Sequence, residues 1–238
     1  MNTPNRLLFA QVIAHLSIIL MVLFAEWWQW IVAIIVYFAT GCLGMTMTYH
    51  RLLSHKSWSC PTWLERTFAS FATIGLTGSA LGWVAIHRKH HRFTDQPDDP
   101  HSPKYIGFLR AHFLSMYSSV EMRYVKDMLR DKFYLFQHKY YFWINIAWGV
   151  FLYVLDPMAV VYAWLFPAMV LWNAGSSVLS LSHRGGEPHN DPVLGWVVWG
   201  EGWHRNHHDN PRSAMFNNRG DIGWTLIKLI ERKYDVEK

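Results

Sequence analysis

Four stretches of the chain are dominated by apolar side chains and contain no Asp, Glu, Lys or Arg: Leu7–Ala25, Trp30–Tyr49, Tyr140–Leu155 and Met158–Ser182. An uncharged apolar run of about 18 residues or more can cross the hydrocarbon core of a bilayer as a helix. The third run is shorter, but Tyr140, Tyr141 and Trp143 supply aromatic anchors for one interface. The pattern therefore predicts four transmembrane helices, at about 7–25, 30–49, 140–155 and 158–182. The short connections Glu26–Gln29 and Asp156–Pro157 make them two antiparallel hairpins. Glu-Trp-Trp-Gln-Trp follows the first run in place of a small-residue cleavage site, which predicts a retained helix and not a signal peptide. Two polar segments, 50–139 and 183–238, complete the chain. Phe68–Ile86 inside the first of them also lacks charge, but it contains Gly75, Gly78, Gly82, Thr73, Thr77 and Ser79. It is expected to be a helix on the membrane surface or packed within the polar domain. Ile222, Leu226, Leu229 and Ile230 recur at helical spacing and predict a helix over 222–233 that packs on the same domain. No internal repeat or low-complexity tract divides the chain. The expected architecture is an all-α integral-membrane protein of one domain, 1–238, with four transmembrane helices and a cytoplasmic helical cap.

Composition alone does not separate this from a soluble bundle, since 51% hydrophobic and 16% charged residues suit either. The placement of the cations does. Arg6 precedes the first run, and every other Lys and Arg lies in Arg51–Lys139 or Arg184–Lys238. By the positive-inside rule both termini and both polar segments are expected in the cytoplasm. A soluble bundle has no reason to sort its charges so. The net charge of +5 lies beside the spans and points to anionic lipid headgroups, or to an acidic partner or substrate headgroup, and not to nucleic acid. Cys42 lies in a span and Cys60 in a cytoplasmic segment, so no disulfide is expected, and two thiols are too few for a thiolate metal site.

Histidine changes the picture most. There are 14, of which eight fall into three boxes and a ninth, His183, lies outside them. His50 and His55 form H-x4-H. His87, His90 and His91 form H-x2-H-H, and His204, His207 and His208 repeat it. His183 stands alone just past the fourth run. Residues three and four apart share a helix face, so each H-x2-H-H can aim at one centre. The pair five apart can serve the same ion only if its segment is bent or irregular. Imidazole is a ligand for iron, copper, zinc and nickel. Nine imidazoles are too many for one ion, which predicts two, and the cytoplasm supplies ferrous iron. His15, His101, His112, His138 and His189 are expected not to bind metal, with His101 and His112 placed to support the site from outside.

With these boxes the sequence resembles the membrane fatty acyl desaturases, in their delta-9 branch. His-Arg-Leu-Leu-Ser-His at 50–55 is similar to the family's first box. Trp83 to Asp95, followed by Asp99-Pro100-His101-Ser102-Pro103, is similar to the second box and its flank, and Gly200 to His208 to the third. The resemblance implies a four-helix stalk under a cytoplasmic cap with two irons. His50, His55, His87, His91 and His207 would bind one, and His90, His183, His204 and His208 the other. An Asn that reaches the second iron through water in the family is replaced here by Leu179. The chain is shorter than most of the family, which implies trimmed cap elements. Phe38 and Cys42, twelve and eight residues before His50, match positions that bound the far end of the family's acyl tunnel. The activity implied is oxygen-dependent desaturation of a fatty acyl chain at the delta-9 position. Two irons supply an oxidant strong enough for an unactivated methylene pair, with no catalytic side chain beyond the ligands. No flavin, nicotinamide or haem motif is visible, so the electrons are expected from a ferredoxin or cytochrome b5-like carrier. The basic residues Arg123, Lys126, Arg130 and Lys132 are candidates to dock it. The acyl carrier stays open between CoA, acyl carrier protein and glycerolipid, although Ala85 stands where animal acyl-CoA enzymes have Arg. An acyl or lipid hydroxylase on the same centre is the alternative. A membrane metal-binding or transport protein is more distant, because the spans carry only His15 as an ionisable group near their middle.

Overall fold

The structure is a computed structural model describing residues 3–115 and 118–234. The remaining residues of the expected 1–238 domain lie outside the described part. Helix α1 is Thr3–Phe24, and α2 (Trp27–Tyr37) continues without a break into a π-helical segment, Phe38–Ser54. Then follow α3 (Thr62–Ile74), α4 (Ala80–Arg92), the short α5 (Pro103–Ile106) and α6 (Phe108–Phe113), and the long α7 (Lys132–Leu155). A π-helical turn, Val161–Leu165, leads into α8 (Phe166–Leu181), followed by α9 (Pro192–Val197), α10 (His204–Asp209) and α11 (Ile222–Tyr234). No strand occurs among the described residues.

The apolar runs form helices whose faces are inverted relative to a soluble protein. In α1 the buried stripe is Gln11, Ala14, Ser17 and Met21, three or four residues apart, while Val22, Leu23 and Phe24 are each about two-thirds exposed. Small and polar residues facing neighbouring helices, with large apolar ones facing out, suit a lipid environment. Gln11 donates across the interface to the Leu76 carbonyl at 3.0 Å. His15 lies 2.7 Å from the Gln11 carbonyl through Nδ1 and 2.9 Å from the Asn173 amide through Nε2, so it ties α1 to α8. Among the described residues three helices are long and apolar enough to cross a membrane: Arg6–Phe24, Trp27–Ser54 and Val161–Leu181. The second extends past the expected end at Tyr49. The third expected span lies within α7, which does not meet that measure because Tyr140, Tyr141, Trp143 and Asn145 dilute its apolar character.

One expectation is corrected. Phe68–Ile86 is not one helix: α3 ends at Gly75, Leu76 and Gly78 adopt φ of 58° and 102°, and the Ser79 hydroxyl caps α4 by accepting from the Gly82 amide at 3.2 Å. The left-handed turn at Gly78 is where a residue without Cβ is needed. Both helices are packed inside the domain, with Ala69, Ala72, Ala80, Leu81 and Val84 fully buried. The helix expected over 222–233 is present as α11 and packs through Ile222, Leu226 and Ile230 beside the buried Gly223 and Ile227, and of the four expected residues only Leu229 faces out. Gly223 meets Thr46 and Arg51, and the close approach of that helix to the π-helical segment sets the face.

The π-helical segment is the element that positions the site. Its wider turn brings the Thr48 and Ser54 hydroxyls to the carbonyls of Leu43 and Tyr49, five residues back, at 2.8 and 2.7 Å. The His55 amide likewise donates to the His50 carbonyl at 3.3 Å. Segments of this kind occur mostly at functional sites. Arg88 on α4 secures the end by donating to the Leu53 and Ser54 carbonyls at 2.7 and 3.0 Å and to Asp127 at 2.7 Å.

Candidate metal centre

Four elements bring the eight box histidines and His183 together. His50 comes from the π-helical segment and His55 from its cap; α4 gives His87, His90 and His91, and α10 gives His204, His207 and His208. His183 follows α8 directly. The ring nitrogens fall into two groups, each with its ligand atoms within 4.8 Å of one another. One group is His50, His55, His87, His91 and His207; the other is His90, His183, His204 and His208. This is the division that the resemblance implies. In the first group the Nε2 atoms of His50 and His91 both lie 2.9 Å from that of His207, and His55 meets His87 at 2.8 Å. In the second, His183 and His208 approach His204 at 2.8 and 3.1 Å, and His90 lies 3.3 Å from His208.

Carboxylates decide what these converging nitrogens are. Asp99 lies 2.9 Å from His90 Nδ1, Asp95 lies 2.7 Å from His183 Nδ1, and Glu201 lies 2.5 Å from His50 Nδ1. Burial works to raise the Asp95 carboxyl, but hydrogen bonds from His183 and Ser102 outweigh it and hold it below its usual range. Burial pushes Asp99 up to about 6, still ionised at neutral pH. A carboxylate only accepts, so the Nδ1 atoms of His90 and His183 are the protonated ones and their Nε2 atoms carry bare lone pairs. Lone pairs from several imidazoles aimed at one point repel unless a cation sits among them. The carboxylate–histidine pair is also the usual support of a metal-ligating imidazole. The donor set therefore fits metal ions. Burial, then the charge of neighbouring histidines, lowers His87, His90, His204 and His207 well below 6.5, His55 to about 3 and His208 to about 2. All are neutral at pH 7, the form that ligates.

A narrow cavity of about 90 Å³ touches His50 and His87 of one group and His204 of the other. Met45, Leu171, Trp172, Leu179 and Val198 give it apolar walls. Leu179, where the resemblance has Asn, faces this cavity. Phe38 and Cys42 are not among its lining residues. Cys42 is fully buried, and the Phe38 ring packs edge-on against Trp199, with centroids 6.0 Å apart.

Of the other histidines, His15, His112, His138 and His189 bond elsewhere, and His101 lies beside the second group and lines the cavity. His138 bonds Ser79 at 2.6 Å, His112 bonds Ser180 at 3.0 Å, and the His189 amide donates to Ser182. His101 is buried with its ring centroid 5.5 Å from His90, beside the second group. Asp95, Asp99 and Glu201 were not singled out from the sequence; their signal was a carboxylate within nine residues of a box. Cys42 and Cys60 are free thiols.

The family model for fatty acid desaturases matches residues 25–220. The chain belongs to the fatty acid desaturase family. It is 34% identical over 212 residues to the sn-2 palmitoyl-lipid 9-desaturase of Nostoc sp. (strain 36), covering 80% of this chain and 74% of that one. It is 32% identical over 224 residues to the sn-1 stearoyl-lipid 9-desaturase of Synechocystis sp. (strain ATCC 27184 / PCC 6803 / Kazusa), covering 87% and 70%. It is also 32% identical over 234 residues to delta-9 acyl-lipid desaturase 2 of Arabidopsis thaliana, covering 90% and 76%. This desaturase is thus an oxidoreductase that carries out oxygen-dependent desaturation of fatty acyl chains, and its two histidine groups are those able to hold the metal.

Proposed function

We propose that this desaturase introduces a cis double bond at the delta-9 position of an acyl chain esterified to a membrane glycerolipid, using two ferrous ions held by the eight box histidines and His183. The observation that carries the reading is the apolar cavity touching both histidine groups. A methylene pair offers no acid–base handle, so the protein's task is to hold the chain still, dry and close to the ligands. Met45, Leu171, Trp172 and Val198 provide apolar contact, and the buried Asp95 and Asp99 fix two imidazoles through Nδ1. Iron with dioxygen and two electrons supplies the oxidising power. Beyond the cavity itself, Phe38, packed on Trp199, is proposed to close the methyl end of a longer path, with Cys42 one turn nearer the histidines.

The glycerolipid carrier is supported by the acyl-lipid names of the three relatives above, and by Ala85, which is buried in α4 where a CoA-binding cation would need to reach solvent. A fourth span in α7 is supported by its outward Trp143, Ile146, Val150 and Val154, each more than half exposed. The sorted Lys and Arg then support cytoplasmic termini and a cytoplasmic cap. Lys126, Arg130 and Lys132 are exposed, and with Arg123, which pairs with Glu121 at 2.7 Å, they offer a basic face to a ferredoxin or cytochrome b5-like donor.

The test is expression in a host without delta-9 desaturation, followed by mass spectrometry of intact lipids, with metal analysis of the purified protein. Delta-9 unsaturated chains within glycerolipids and about two irons per chain are expected. Product confined to acyl-CoA, hydroxylated chains, or one iron per chain would overturn the corresponding part.

A further inference from the structure

The last turn of α8 is a wall for two different spaces. Val178 and Leu179 line the cavity beside the histidines, whereas Leu181 lines a separate, open pocket of about 530 Å³ on the other side. Its remaining walls are Pro103, Lys104 and Phe108 from α5 and α6, and Arg184 and Gly185 from the loop after α8. The volume lies in the range of small-ligand sites.

Three observations bear on what fills it. The first is charge. Lys104 and Arg184 are the pocket's only ionisable walls, both are exposed, and among the described residues neither is in an ion pair. The second is that the pair is built into place. Gly186 has φ of 87°, and a Cβ there would strike the Lys104 side chain, 2.5 Å from Cδ and 3.4 Å from Cε. The missing Cβ lets Lys104 lie along the turn that carries Arg184, while its ammonium rests 5.4 Å from the Tyr105 ring centre. The third is depth. Leu181 is the last residue of a helix able to cross a membrane. Against that end, α6 is fixed by the 3.0 Å contact of His112 with Ser180, and it turns Phe108, Leu109 and Phe113 outward, Leu109 being 70% exposed. A short helix with apolar side chains outward beside a span's end sits at the boundary between acyl chains and headgroups. Two cations without an ion pair at that boundary suit an anionic headgroup.

We infer that the pocket between α6 and the end of α8 is a headgroup site, in which Lys104 and Arg184 hold the phosphate of an anionic glycerophospholipid. The inference rests on the acyl-lipid reading above and names the lipid class. Arg presents a planar fork to phosphate oxygens, and Lys adds a point charge. Phe108, Leu181 and Pro103 cover the glycerol side of the headgroup. Ser182 and His183 stand between Leu181 and Arg184, so the headgroup would sit beside an element that also feeds the metal centre.

The test uses the purified full chain in neutral detergent, titrated in parallel with short-chain phosphatidylglycerol, short-chain phosphatidylcholine and inorganic phosphate. Phosphatidylglycerol is expected to bind tightest. The double variant Lys104→Gln with Arg184→Gln should weaken it roughly tenfold or more, since each cation contributes near an anionic surface. Phosphatidylcholine and inorganic phosphate should change little. The charge-conserving pair Lys104→Arg with Arg184→Lys should keep most of the binding, which separates charge from folding. Unchanged phosphatidylglycerol affinity in the Gln pair overturns the site, and so does equal binding of inorganic phosphate, which would make it a free-anion site. If the enzyme desaturates only acyl-CoA while the variants still lose phosphatidylglycerol, the acyl-lipid reading fails and the anionic lipid site stands. If lipid-linked chains are desaturated while binding is untouched, this inference alone fails.

Discussion

Asp99 accepts from His90 Nδ1 and from the backbone amides of Asp95 and His101, at 2.9, 2.8 and 2.8 Å, and Asp95 holds His183 while taking the Ser102 hydroxyl at 2.6 Å. Both carboxylates lie in the turn after the second box and bind nothing of the reaction themselves. Asp95→Asn and Asp99→Asn keep the side-chain shape and one acceptor, but an amide oxygen is a weaker partner for an imidazole N–H. Each substitution is expected to cost about 10–100-fold in metal affinity. Dialysis against graded chelator followed by metal analysis would show it, with His189→Ala unchanged; iron retention equal to the parent in both Asn variants would mean that the carboxylates only shape the turn. The six histidines of the two H-x2-H-H boxes were legible from spacing because three and four residues along a helix fix a common face. The carboxylates were not, since Asp95, Asp98, Asp99 and two prolines in one stretch read equally well as turn formers, and only the folded turn brings Asp99 back to His90.

H-x4-H is a poor spacing for an α-helix, where residues five apart point in different directions. In the π-helical segment the His55 amide bonds the His50 carbonyl, so the two residues stand one wide turn apart, with ring centroids at 5.0 Å. The spacing thus announced an irregular backbone, but hydrophobic pattern cannot tell an extra residue per turn from an α-helix, and the span was read as ending at Tyr49. Glycine shows how the segment seats itself. A Cβ on Gly44 would lie 2.6 Å from the Ala72 amide nitrogen and 2.9 Å from its Cα, backbone atoms that cannot step aside. Gly44→Ala is expected to push α3 off the π-helical segment and destabilise the protein by about 1–3 kcal/mol, as overpacking does. Thermal unfolding in detergent would register the loss, and an unchanged midpoint would mean that the two helices part without cost. The break between α3 and α4 is visible in the sequence only as glycines, and glycine inside an uncharged run marks close packing as readily as a turn. Its meaning depended on Leu76 and Gly78 adopting left-handed backbone, which is settled by the Tyr141 hydroxyl accepting from the Gly78 amide at 3.0 Å.

Across the whole molecule, apolar side chains face outward on the spans and ionisable ones are concentrated in one buried block. The spans were legible because lipid imposes both length and lack of charge; α7 meets that measure less well because its inner face carries Gln137, Tyr141 and Asn145, which bond the π-helical segment, the turn after α3 and α3 itself. The buried block sets how the protein answers to acid. Burial first, and then neighbouring histidines, lower His55 and His101 from 6.5 to about 3 and His208 to about 2. An unfolded chain takes up protons on these imidazoles near pH 6.5, while the folded chain does not until about pH 3. Between those values the unfolded state binds more protons, so stability rises with pH across the window and is lost as pH falls through it. Asp99, raised by burial from 3.8 to about 6, works in the opposite sense below pH 6, and Glu201, raised by burial to about 8 against the pull of Arg51, does so at higher pH. Two carboxyls are outnumbered by the imidazoles of the two groups. Metal-free protein in detergent at fixed salt should therefore show a melting temperature that falls steadily from pH 7 to pH 4. Ferrous protein should melt higher at pH 7 and lose more over the same interval, because ligation also requires neutral imidazole and competes with protons. A metal-free melting temperature that is flat between pH 7 and pH 4 would mean that the imidazoles accept protons in place, and that the two groups open to water before any metal is bound.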